Sequence, residues 1–162
     1  MTTPHVRVGQ GFDIHRVGDD PTRPLVLGGY RFPGPGLVGH SDGDAVAHAI
    51  ADAMLSAAGL GDIGELFPDT DPAFAGADSI ELLRRAATAV RAEGWSLGNA
   101  DCSVICDEPK VAPARDEMQR QLSDAAGGPV TVKGRRPEGL GALGRGEGIA
   151  CIAVAVLIGE EP

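Results

Sequence analysis

Glycine and proline recur so densely in this chain, 24 and 12 times in 162 residues, that only short elements can form between them. Residues 5–17, HVRVGQGFDIHRV, read as a strand broken by Gly9 and Gly11, and residues 24–32 as a second strand with a Gly-Gly bend. A Pro/Gly loop covers residues 33–40. Residues 42–58, DGDAVAHAIADAMLSAA, are Ala-rich and predict a helix that stops at Gly59. A further helix runs from Ser79, read as its cap, to about Glu93, with Ile80, Leu83, Ala87 and Val90 on one face. Residues 96–106 return to strand character, 113–126 are helical, and 129–133 form a short strand. The apolar run at 147–158, EGIACIAVAVLI, reads as a buried strand, although its alanines also suit a helix. Mixed strands and helices in this order predict an α/β chain built as an α+β two-layer sandwich, with a mixed sheet and helices on one face. Its length suits a single domain over residues 1–162, long enough to bury roughly 70% of its unfolded surface without disulfides or metals.

Charge narrows the function. The formal net charge is −9, which argues against binding nucleic acid or an anionic membrane surface. Between residues 32 and 83 there is no Lys or Arg, while nine acids occur: Asp42, Asp44, Asp52, Asp62, Glu65, Asp69, Asp71, Asp78 and Glu81. A solvated acidic face accounts for such a run; a site built around a cation is the sharper reading. Lys133, Arg135, Arg136 and Arg145 crowd together late in the chain, either as a solvated loop or as an anion site. Three cysteines without a CxxC pair, an N-terminus without an apolar export segment, and no membrane-length apolar run predict a reduced, cytoplasmic protein.

Asp13 and His15 lie two apart, so on a strand both side chains share a face and can grip one metal ion. A surface Asp and His at this spacing is the plainer reading. His48 lies mid-helix with Asp44 and Asp52 on the same stripe, and either carboxylate could take the ring N–H of a metal-bound imidazole. An ordinary charged helix face has the same pattern. Asp13, His15 and His48 together make a zinc triad if the fold brings them together. His40 in HSDGD is either a phosphate donor or an idle loop residue. GDIGELFPDTDP at 61–72 is a turn or a polar substrate loop, and GRGEG at 144–148 places flexible glycines beside Arg145.

The segments VGQGFDIHRV, GHSDGDAVAHAIADAMLSAAGLGDIGELFPDTDP, ADSIELLRRA, EPK and GRGEGIA, in this order, resemble the 2-C-methyl-D-erythritol 2,4-cyclodiphosphate synthase family. The resemblance implies a compact α/β homotrimer with sites between subunits. It implies a metal-dependent phosphorus-oxygen lyase of the non-mevalonate isoprenoid pathway, converting 4-diphosphocytidyl-2-C-methyl-D-erythritol 2-phosphate to the cyclic diphosphate and CMP. Asp13, His15 and His48 match the zinc ligands, and Glu138 matches the carboxylate holding a second cation, Mg²⁺ or Mn²⁺. His40, with Ser41 beside it, matches the phosphate-contacting catalytic residue.

Ile14, Asp62, Ile63, Gly64 and Phe67, Pro68, Asp69, Thr70 and Asp71 match the part that holds the substrate. The loop Cys106, Asp107, Glu108, Pro109, Lys110, Val111 and Ala112 matches the cytidine loop lent to an adjoining subunit, with Arg135 beside it. Arg145 matches the basic residue near the trimer axis. The segment departs from the family at KGRRPEG: Arg135, Arg136 and Pro137 stand where the family carries threonines, Arg136 in a phosphate-orienting catalytic place. Ala142 likewise replaces an aromatic. The departure leaves a second reading open, a homologue that binds zinc and a cytidine nucleotide with altered or absent turnover.

Overall fold

A computed structural model describes residues 5–159. The ends of the expected 1–162 domain, including the first residues of the N-terminus, lie outside the described part. In chain order the elements are β1 (His5–Arg16), β2 (Leu25–Leu27), β3 (Tyr30–Phe32), α1 (Ala45–Ala58), α2 (Ile63–Leu66), α3 (Ser79–Ala92), β4 (Trp95–Ile105), α4 (Arg115–Ala126), β5 (Val130–Arg135), α5 (Gly141–Gly144) and β6 (Gly148–Gly159). Short 3₁₀ turns precede α3 at Pro72–Phe74 and α4 at Ala112–Ala114. Four strands form one mixed sheet, ordered β1-β6-β4-β5, antiparallel except for the β4–β5 pair. Helices α1, α3 and α4 cover one face of the sheet and share one apolar core with it. The apolar run of β6 is therefore strand, because both its neighbours are strands and its alternate residues point into that core.

Strand β1 is not broken at Gly9 and Gly11; it pairs with β6 along its whole length. The glycines serve the helix instead. A Cβ on Gly9 would lie 2.0 Å from the Ala53 carbonyl oxygen, and one on Gly11 1.9 Å from that of Ala49. Glycine on the strand and alanine on the helix let two backbones approach closely, which brings His48 of α1 within reach of Asp13 of β1. The Gly-Gly bend is a hairpin turn, with Gly28 and Gly29 at φ 58° and 76° between β2 and β3.

Asp44 caps α1, accepting from the Val46 and Ala47 N–H groups, and its carboxylate also accepts from Gly28 and Gly29. Burial, then the charge of Asp42, pushes its carboxyl up to about 6 in spite of those donors. The capping residue of α3 is Asp78, not Ser79, which is the helix's first residue and fully buried.

The opposite sheet face is bare. Val6, Val8, Phe12 and Ile14 of β1 and Ile152, Val154 and Ile158 of β6 are exposed there, and Val6 faces Ile158 and Phe12 faces Ile152 across the strands. Among the described residues no helix is long and apolar enough to cross a membrane.

Candidate metal and phosphate site

Asp13 and His15 project from the end of β1 toward α1, and His48 meets them from that helix. Asp13 Oδ2 lies 2.8 Å from His15 Nε2 and 3.0 Å from His48 Nδ1, and the two ring nitrogens are 3.3 Å apart. These atoms form the one group of three or more possible ligands found among the described residues, all within 4.8 Å of one another. Two imidazole nitrogens and a carboxylate oxygen converging this closely suit a small divalent ion such as zinc. The ring of His15 is already oriented for it: Nδ1 donates to the Val38 carbonyl at 2.7 Å, leaving Nε2 to face the group. Burial opposes ionisation of Asp13, but hydrogen bonds from His15 and His48 outweigh it and hold the carboxyl well below the usual range. Burial likewise disfavours a charged His15, yet Asp13 raises its pKa overall.

Neither Asp44 nor Asp52 supports His48, contrary to the helix-stripe expectation. Asp44 is occupied by backbone N–H groups, and Asp52 accepts from the Ile63 N–H at 3.1 Å. At i−4 and i+4 their side chains turn toward loops packed beside the helix. His48 Nε2 instead lies 2.8 Å from Ser79 Oγ and 3.1 Å from Ser41 Oγ. The acidic run supplies no ligand to the group either. Four of its nine members, Asp44, Asp62, Asp71 and Asp78, are helix caps that satisfy free N–H groups.

A cavity of about 490 Å³ opens beside the group, lined by Asp13, His15, His40, Ser41 and His48 together with Ile63, Gly64, Phe67, Pro68 and Asp69. Phe74 and Leu82, which sequence reasoning missed, complete its apolar wall, and Phe74 meets Phe67 edge-on at 5.3 Å. His40 Nε2 donates to the Asp71 carbonyl at 2.9 Å, which leaves Nδ1 as its uncommitted ring nitrogen. The loop bearing His40 and Ser41 is held by Arg23, whose guanidinium donates to the carbonyls of Leu37, Gly39 and Ser41. Five expected substrate residues do not line this cavity, Arg145 among them, which lies in another. Ile14 points to the bare sheet face, Asp62 and Asp71 are caps, and Thr70 sits in an exposed turn.

The nucleotide-loop residues gather elsewhere. Cys106, Asp107, Pro109, Lys110, Val111 and Ala112 line a cavity of about 210 Å³ with Arg135 and Arg136, and Arg136 Nη2 lies 3.4 Å from Asp107 Oδ1. Burial, then the charges of Glu108 and Asp107, pushes the Cys106 thiol up to about 11. Arg145 lines a third cavity, of about 660 Å³, with Glu108 and Lys110, and pairs with Glu147 at 2.5 Å. Lys133 pairs with Asp101, so the late basic residues do not form one anion site. Glu138 belongs to no group of three or more possible ligands among the described residues, as suits a carboxylate expected to share its cation with substrate phosphates.

The YgbB family model matches residues 6–158. A protein of Edwardsiella ictaluri named 2-C-methyl-D-erythritol 2,4-cyclodiphosphate synthase is 53% identical over 159 residues, covering 96% of this chain and 100% of its own. A solved IspF–CDP complex of Plasmodium falciparum is 33% identical, covers 99% of this chain and 100% of its own, and superimposes with a TM-score of 0.83. The bifunctional IspDF structure of Campylobacter jejuni is 41% identical with a TM-score of 0.92, covering 98% of this chain and 44% of that longer one.

Proposed function

The chain belongs to the YgbB family, and we propose that it converts 4-diphosphocytidyl-2-C-methyl-D-erythritol 2-phosphate into 2-C-methyl-D-erythritol 2,4-cyclodiphosphate and CMP, a lyase step of isoprenoid precursor synthesis. The observation that carries the reading is the 490 Å³ cavity, where a two-imidazole, one-carboxylate group meets His40 and the Ile63–Asp69 segment. In this reaction the 2-phosphate oxygen bonds to the β-phosphorus, the bond from that phosphorus to the oxygen bridging to the α-phosphorus breaks, and CMP leaves with that oxygen. Both reacting groups belong to one molecule, so catalysis rests on positioning and charge neutralisation.

Asp13, His15 and His48 hold a zinc ion in this reading. The ion supplies Lewis-acid stabilisation to phosphate oxygens. His40 contacts the phosphate through Nδ1 and is itself fixed by the Asp71 carbonyl. Ile63, Gly64, Phe67, Pro68 and Asp69 hold the erythritol part, Asp69 accepting from hydroxyls while Phe67, Phe74 and Leu82 exclude water. Cys106–Ala112, Arg135 and Arg136 bind the cytidine nucleotide; the small basic cavity and the CDP of the Plasmodium falciparum relative support that assignment. A homotrimer, with this loop lent to a neighbour's cavity, is supported by the bare apolar sheet face. A cytoplasmic setting accords with three cysteines that form no disulfide.

Incubating the purified chain with zinc, magnesium and substrate tests the reading by ³¹P NMR. Appearance of CMP and a cyclic diphosphate in equal amounts is expected. Zinc-loaded protein that binds CMP yet yields no product overturns the cyclase reading in favour of a nucleotide-binding homologue.

A further inference from the structure

A histidine that coordinates through Nδ1 must carry its proton on Nε2, and an unassisted imidazole has no fixed commitment to that tautomer. The surroundings of His48 favour it. Ser79 Oγ lies 2.8 Å from His48 Nε2 and hydrogen-bonds on its other side to Asp42 Oδ1. An ionised carboxylate only accepts, so the serine hydroxyl hydrogen is committed to Asp42. The serine oxygen is then left to accept, and the partner it accepts from is the Nε2–H of His48. The opposite ring nitrogen, Nδ1, is the atom 3.0 Å from Asp13 Oδ2 and 3.3 Å from His15 Nε2, and with Nε2 engaged it is the nitrogen left to coordinate an ion.

Ser79 is fully buried and Ser41 is 6% exposed, so water does not compete for these bonds. The same burial rules Ser79 out as a nucleophile. Asp42 is itself anchored, its other oxygen accepting from the Ser79 N–H at 3.1 Å, while Oδ1 also takes the Asp44 N–H at 3.0 Å.

We propose that Ser79, backed by Asp42, is a positioning residue for His48, a carboxylate–serine–histidine relay that fixes the ring with Nδ1 presented to the divalent ion. The proposal rests on the reading that Asp13, His15 and His48 hold such an ion, and it assigns α3 a part in the metal site that its sequence does not announce.

The test compares zinc affinity, by competition with a chromogenic chelator, and the visible spectrum of the cobalt(II)-substituted protein across four variants. Thermal melts of the metal-free proteins check that each folds. Ser79→Ala is expected to bind zinc about 10–100-fold more weakly, the range for loss of a group supporting a ligand, with an altered cobalt spectrum. Ser79→Thr keeps the hydroxyl and is expected to restore both affinity and spectrum. Asp42→Asn is expected to weaken zinc in the same direction, and Asp52→Asn, whose carboxylate serves Ile63, to leave the affinity unchanged.

If Ser79→Ala does not fold, the contrast between Asp42→Asn and Ser79→Thr decides. Folded Ser79→Ala or Asp42→Asn protein with parental zinc affinity and cobalt spectrum overturns the relay. Parental protein that binds no zinc refutes the metal reading itself, and the relay with it.

Discussion

The atoms that make the candidate site are each aimed by a neighbour from a distant part of the chain. The Val38 carbonyl turns His15, Ser79 turns His48, and the Asp71 carbonyl turns His40. His48→Ala removes one of three protein ligands. Loss of a mere supporting group costs about 10–100-fold in metal affinity, so loss of the ligand is expected to cost more. Metal analysis after dialysis against trace zinc should find the parent loaded and the variant empty; equal zinc contents refute the triad.

Cys106 gives a second expectation at this scale. With its thiol pushed up to about 11 by burial and by the neighbouring acids, it stays protonated at neutral pH, and the thiolate fraction grows only as pH rises toward that value. Iodoacetamide labelling of native protein at Cys106, followed by peptide mass analysis, should stay negligible at pH 8 and rise only in strong alkali. Rapid labelling at pH 8 contradicts the burial of this loop.

At the scale of elements, the decisive contact is β1 against α1. Gly11→Ala would drive a Cβ to within 1.9 Å of the Ala49 carbonyl oxygen, backbone against strand, and α1 must retreat. Overpacking of this kind costs about 1–3 kcal/mol, and here the displaced helix carries His48, one residue before the point of contact. Urea unfolding should give a lower midpoint, and chelator competition a weaker zinc site; a variant matching the parent in both contradicts the account. The three long helices were legible in the sequence because helical periodicity, an Ala-rich run and closing glycines mark them, and the strands because apolar runs stand between turns, although β1 read as broken. The triad was legible because a D-x-H pair on a strand and a mid-helix His are few in number.

The use of Gly9 and Gly11 was not legible. A glycine that breaks a strand and one that admits a helix look alike until the partner is known. Ser79 was also hidden, since a serine at a helix start reads as a cap and its partners His48 and Asp42 lie more than thirty residues away. The acidic run, open to reading as a solvated face or a cation site, holds four N-caps, because capping by Asp produces the same composition as a ligand cluster. Helices α2 and α5, four residues each, are too short for a periodic signal.

For the whole molecule, the bare apolar face of the sheet sets the expectation. Val6, Val8 and Phe12 alternate along β1 toward that face, opposite Ile158, Val156 and Ile152, and an exposed apolar stripe of this kind calls for a partner surface. Sedimentation should find the parent as a trimer. Phe12→Asp places a charge in the stripe and is expected to give monomers with an unchanged circular dichroism spectrum. A monomeric parent, or a variant that stays trimeric, contradicts assembly through this face.

The account as a whole stands on the convergence of Asp13, His15 and His48 upon one divalent ion. An anomalous-difference map from zinc-grown crystals, recorded at the zinc edge, tests this most directly. The account predicts a peak about 2.0–2.2 Å from Asp13 Oδ2, His15 Nε2 and His48 Nδ1. A map with zinc bound elsewhere and no peak among these three side chains would contradict it.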